Sequence, residues 1–134
     1  MSEAEQIAAL ADRVEGATGA DRELDELVSA AISGAAREVQ PNGQTAYHTK
    51  DGTRWCGVEV KPYTASLDAA MTLVDPTWFF HISRFSPESD SRGQAHIYPN
   101  RGLGDDYEAD AATLALALVA AALRARTYLT KENR

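Results

Sequence analysis

The sequence predicts an α+β fold: one domain in which an antiparallel sheet of about four strands, arranged as two hairpins, packs with helices in the order ααββαββα. Three observations predict it. Apolar stripes at helical spacing occupy both ends of the chain. Period-two alternation occupies the middle. Two strand-like runs flank a turn dipeptide, Asp51-Gly52.

The elements follow in order. Ser2 and Glu5 have the spacing of a capping box, and Ile7, Leu10, Ala11 and Val14 then repeat on one helical face as far as Gly16. Thr18 with Asp21 suggests a second cap. Leu24, Leu27, Val28, Ala31 and Ile32 form the next stripe, which Gly34 ends. Residues 39–43 read as a turn. Gln44 to Lys50 and Thr53 to Val60 read as a hairpin closed by Asp51-Gly52, with His48 facing Trp55 and Tyr47 facing Cys56. Thr64 or Ser66 caps a helix carrying Leu67, Ala70, Met71 and Val74, and Asp75-Pro76 stops it.

Trp78 to Phe85 alternates, with Phe79, His81, Ser83 and Phe85 on one face. After a polar loop at 86–93, Gln94 to Tyr98 answers it. A second polar loop covers 101–108. The last helix starts near Asp110 or Thr113 and runs to Leu129. Its leucines cover nearly the whole circumference, so it is either a core helix or one shared with a second copy through 113–129. The expected organisation is an acidic helical hairpin at 1–38, an α/β sandwich core at 44–129 and a frayed tail at 130–134.

With 134 residues, the chain suits one domain. Thirteen basic residues against twenty acidic ones give a net charge of −7, which argues against nucleic-acid and anionic-membrane partners. Residues 1–40 hold nine acids and three bases, so the acidity belongs to the first segment. One cysteine, Cys56, excludes an internal disulfide. The longest apolar run, Leu114 to Leu123, is ten residues, well short of the roughly 20 of a membrane span. The acidic start, Met1 to Glu5, is unlike a signal peptide. The expectation is a cytoplasmic protein.

Two stretches carry a resemblance. Pro62-Tyr63-Thr64-Ala65-Ser66-Leu67-Asp68-Ala69-Ala70-Met71-Thr72-Leu73-Val74 leads into Trp78-Phe79-Phe80, and Ala111-Ala112-Thr113-Leu114 runs on through Ala120 to Arg126. Together they resemble the phage alpha-beta-alpha sandwich domain family, found in bacteriophages and prophages. Leu114 stands where that family usually has a proline. The resemblance implies a small α+β protein inside a bacterial host. It brings no established activity and no catalytic residues.

The sequence contains no Gly-x-Ser-x-Gly elbow, no Walker loop and no Gly-x-Gly-x-x-Gly fingerprint, so neither an enzyme nor a cofactor is expected. Zinc-type ligand pairs at close spacing are missing among His48, Cys56, His81 and His96, so no metal is expected either. His81 and His96 are expected side by side on paired strands. The pairs Asp105-Asp106 and Glu108-Asp110 read as caps of the last helix.

Two binding surfaces remain. Glu23, Asp25 and Glu26 offer an acidic face to a protein partner. Phe79, His81, Arg84, Arg92, His96 and Tyr98 are placed to stack and clamp a ligand such as a nucleotide, if that sheet face is open. The expected function is therefore a non-enzymatic phage accessory protein that binds a protein, with inhibition of a host factor or defence system as its purpose. A nucleotide-binding or sequestering protein is the alternative, and a structural homo-oligomer is the third.

Overall fold

The computed structural model describes residues 2–49, 51–52, 54–84, 92–99 and 106–132. Four helices and five strands follow in the order α1 (Glu3–Glu15), α2 (Arg22–Ser33), β1 (Ala35–Val39), β2 (Thr45–Thr49), α3 (Leu67–Met71), β3 (Phe79–Arg84), β4 (Gly93–Tyr98), β5 (Tyr107–Ala111) and α4 (Leu114–Glu132). The fold class is α+β. The strands form two antiparallel sheets, β1-β2 and β3-β4-β5.

The helix boundaries have local causes. Ser2 Oγ accepts from the Glu5 amide at 3.2 Å and Glu5 Oε2 accepts from the Ser2 amide at 3.3 Å, the reciprocal capping box. Asp21, rather than Thr18, caps α2 by accepting from the amides of Glu23 and Leu24. Gly34 then turns the chain out of α2 at φ 69°, a conformation that favours glycine because it has no Cβ. Ser66 caps α3 through the Ala69 amide. Thr113 Oγ1 accepts from the Leu116 amide, which sets the start of α4.

Helix α4 is the centre of the molecule. Ala115 through Leu123 are all buried, with α1, α3 and the inner face of the three-stranded sheet around them. Over 115–123 this chain therefore covers the helix on every side. Small residues let the sheet approach closely: Ala95, Ala109 and Ala111 face the helix. A Cβ on Gly93 would stand 2.6 Å from Leu114 Cδ2. Ile7, Ala11 and Val14 bring α1 onto the same core.

Two strands differ from the sequence expectation. Ala35–Val39 is a strand rather than the end of a helical hairpin, and it pairs with β2 from Ala35↔Thr49 to Val39↔Thr45. The hairpin expected at 44–60 keeps its register, with His48 opposite Trp55 and the Cys56 amide donating to the Tyr47 carbonyl at 2.9 Å. Among the described residues its second arm carries that one bridge, with the Arg54 carbonyl also accepting from the Thr49 amide. Pairing stops where Gly57 follows, a residue with no side chain to pack against a neighbouring strand. Val58 and Val60 instead lie against the small cluster of Ala30, Ala35 and Tyr47.

The second difference is Tyr107–Ala111, read from sequence as loop and helix start. It is the third strand of the larger sheet, pairing with β4 from Gly93↔Ala111 to Ile97↔Tyr107. Glu108 and Asp110 are thus strand residues, not helix caps. Phe85, most of the 86–93 loop, Gly102, Gly104 and Asp105 lie outside the described residues.

Candidate functional site: the outer face of the three-stranded sheet

Strand alternation sorts this sheet into two faces. Ala95, Ile97, Ala109 and Ala111 point to α4 and are buried. The opposite face is built from Phe79, His81 and Ser83 on β3, Tyr98, His96 and Gln94 on β4, and Glu108 and Asp110 on β5. No helix packs on it among the described residues.

Four of the six residues expected to form a ligand face come together here. Phe79 pairs with Tyr98 and His81 with His96. The two imidazoles stack with centroids 5.0 Å apart and planes at 25°. The Tyr98 ring lies 6.2 Å from His96 at 10°. Arg84 and Arg92 fall at the other end of the strands, beside Gly93: Arg84 is that residue's register partner and Arg92 its exposed neighbour. Arg84 shares the strand parity of Phe80 and Ile82 rather than of Phe79 and His81, so alternation does not assign it to this face, and Arg92 lies at the far end from the aromatic residues. Phe79 is 55% exposed, and Phe80, on the edge strand, is 41% exposed.

Two carboxylates join this face that sequence reasoning gave to helix capping. Asp106 Oδ2 lies 3.1 Å from His96 Nδ1, and Glu108 Oε2 lies 3.6 Å from it. Glu108 stands directly opposite His96 in the register. Its carbonyl and the Asp110 amide both point away from β4, so His96–Glu108 is a non-hydrogen-bonded pair, where side chains stand closer. The signal was present in Tyr107-Glu108-Ala109-Asp110-Ala111, whose bulky or small and acidic residues alternate with period two.

The two edges of the sheet differ. Along β5, Glu15 Oε2 accepts from the Asp110 amide at 3.0 Å and Arg124 Nη1 donates to the Glu108 carbonyl at 2.8 Å. Arg124 also bonds Glu15 at 2.7 Å and Asp12 at 2.8 Å. The Arg124 hydrogen bond, helped by the Asp110 amide, holds the Glu15 carboxyl below its ordinary value against the opposing effect of burial. The same pairing holds the Arg124 guanidinium in its charged form. Along β3, no described residue beyond β4 bonds the backbone.

The acidic trio of α2 is engaged within the chain. Asp25 is 4% exposed and accepts from the amide and hydroxyl of Thr64, both at 2.8 Å, tying α2 to the turn before α3. Glu26 pairs with Arg37 at 3.1 Å and Glu23 with Arg13 at 3.0 Å. Cys56 is half-buried, and the His48 ring lies edge-on to Trp55. Burial raises the phenol of Tyr47 above its ordinary value. A groove of about 540 Å³ between α1, α2 and β1 is floored by Ile7, Leu10, Leu27 and Ala30.

A scan against protein-family models finds no match to this chain, and searches of curated proteins and of solved structures find none either. The fold and the face define an α+β domain with a three-stranded sheet whose outer face carries no helix among the described residues. No helix among the described residues is long and apolar enough to cross a membrane.

Proposed function

We propose that this is a non-enzymatic phage or prophage accessory protein that acts in the bacterial cytoplasm by binding a protein partner. The partner contributes an extended segment to the edge of β3. The observation that carries this reading is the difference between the two sheet edges. β5 is sealed by Glu15 and Arg124, whereas β3 keeps a six-residue edge flanked by the exposed rings of Phe79 and Phe80. Natural sheets cover or charge their edges, because an open row of backbone donors and acceptors recruits another strand. Strand addition is a common way to bind a peptide: the backbone provides affinity and alternate side chains provide selectivity. The matching segment carries apolar side chains for Phe79 and Phe80.

The resemblance of 62–80 and 111–126 to the phage family supports the biological setting. A host factor or a defence complex is the class of target that such a setting supplies, with inhibition as the outcome. The ring ladder of His81, His96 and Tyr98 favours a second reading, stacking of a nucleotide base. The adjacent Asp106 and Glu108 carboxylates oppose it by repelling phosphate.

The test uses immobilised protein against host lysate, followed by purification of each enriched protein and titration against variants. Phe79→Lys places a charge on the edge and is expected to weaken the identified partner at least tenfold. Glu23→Lys, on the exposed surface of α2, is expected to leave affinity within twofold. The reverse pattern would overturn the edge reading in favour of the acidic helix. A rise in melting temperature with a nucleotide, abolished by His81→Ala, would overturn it in favour of the small-molecule reading.

A further inference from the structure

We propose that His96, Asp106 and Glu108 form a binding site for a divalent transition-metal ion of the zinc class. This inference is independent of the partner proposed for β3. It concerns the β5 side of the face and is read on the isolated protein.

The geometry carries it. His96 Nδ1 lies 3.1 Å from Asp106 Oδ2 and 3.6 Å from Glu108 Oε2, and one donor atom from each of the three residues lies within 4.8 Å of the others. Zinc bonds nitrogen and oxygen ligands at about 2.0–2.2 Å, which sets ligand–ligand separations of about 3.4 Å in a tetrahedron. The three donors are therefore already close to the spacing that one ion imposes.

The donors are also held in place. His96 and Glu108 face each other on paired strands, so their Cα atoms are fixed by the ladder. The imidazole side chain is only 14% exposed and is stacked against His81 and Tyr98, which limits its rotation. Asp106 immediately precedes β5, and its carboxylate reaches the same nitrogen. Such pre-positioning lowers the ordering cost of binding.

The donor set selects the ion. One imidazole nitrogen with two carboxylate oxygens suits zinc and its neighbours, whereas calcium takes six to eight oxygen ligands. Two carboxylates balance a dipositive ion. Three protein ligands leave at least one position open to solvent, as in zinc sites that bind a further group. In the bound state the neutral imidazole offers the Nδ1 lone pair to the metal and keeps its ring proton on Nε2, with no change in oxidation state.

The competing account is an imidazole–carboxylate pair that needs no metal. Zinc titration by calorimetry at pH 7.5, with cobalt absorption as a spectroscopic probe, separates the two. One ion per chain is expected, together with the visible bands of a low-coordinate cobalt site. His96→Ala, Asp106→Asn and Glu108→Gln should each weaken binding at least tenfold. His48→Ala, on the other sheet, should leave it within twofold. The two amide variants are near-isosteric and lie at the surface, so unchanged thermal melting keeps the test valid if His96→Ala fails to fold. No binding at about 100 μM ion, or affinity unchanged in either amide variant, would overturn the site.

Discussion

Along β5, the outward Asp110 amide meets the Glu15 carboxylate and the Glu108 carbonyl meets the Arg124 guanidinium. Along β3, the outward groups meet no other described residue, and two phenylalanines stand exposed beside them. Both strands are short edges of one sheet. They differ because α1 and α4 converge beside β5 and carry side chains long enough to reach its backbone, while among the described elements β4 and α4 are the main neighbours of β3. The comparison teaches that an edge is closed by tertiary neighbours as much as by its own residues.

The largest effect should come from unsealing the closed edge. Arg124→Ala removes bonds to Asp12, Glu15 and the Glu108 carbonyl and leaves the half-buried Glu15 carboxylate with the Asp110 amide but without its cation. Urea unfolding should show a loss of about 3 kcal/mol, since hydrogen bonds to charged groups contribute about 1.5–3 kcal/mol. A loss within experimental error would mean that the seal does not stabilise the fold.

Gly93→Ala tests the approach of α4 to the sheet. Its Cβ would press on Leu114, and overpacking of this kind costs about 1–3 kcal/mol. The same unfolding measurement reads it, and a neutral result would mean that α4 shifts freely against β4.

Glu15→Gln should cost less, about 1–2 kcal/mol at pH 7. The Glu15 carboxyl titrates below its ordinary 4.5 in the folded chain. Its stabilisation is therefore present above that pH and is lost as pH falls through the lower folded value. The two proteins should then converge in stability once the pH falls below that lowered folded value. A gap that persists in acid would assign the stabilisation to packing rather than to charge.

Phe79→Lys should have the smallest effect on stability, within about 0.5 kcal/mol, because the side chain is exposed. If it destabilised the chain as strongly as Arg124→Ala, the two edges would not differ in the way described.

Much of this was legible in local sequence. The box of Ser2 and Glu5, the glycine stop at Gly34 and the cap at Ser66 each close within three or four residues, so their chemistry is written in adjacent positions. The alternation from Trp78 onward placed His81 beside His96, and the Asp51-Gly52 turn placed His48 opposite Trp55. Strands β1 and β5 were less legible. Ala35-Ala36-Arg37-Glu38 has helix-favouring composition and becomes a strand only because β2 is available to pair with it. The acids of β5 resembled helix caps until β4 supplied a register.

The sequence by itself determined the helices, the caps at Ser2 and Ser66, the fold class and the pairing of the two histidine strands, because these depend on short-range hydrogen bonds and on periodicity. Tertiary structure alone decided which edge of the sheet is sealed. It alone turned Asp25 inward to Thr64, and it brought Asp106 and Glu108 to His96. Those outcomes depend on groups far apart in the chain, such as Glu15 and Arg124 on opposite sides of β5. Only a packed core sets the distances between them.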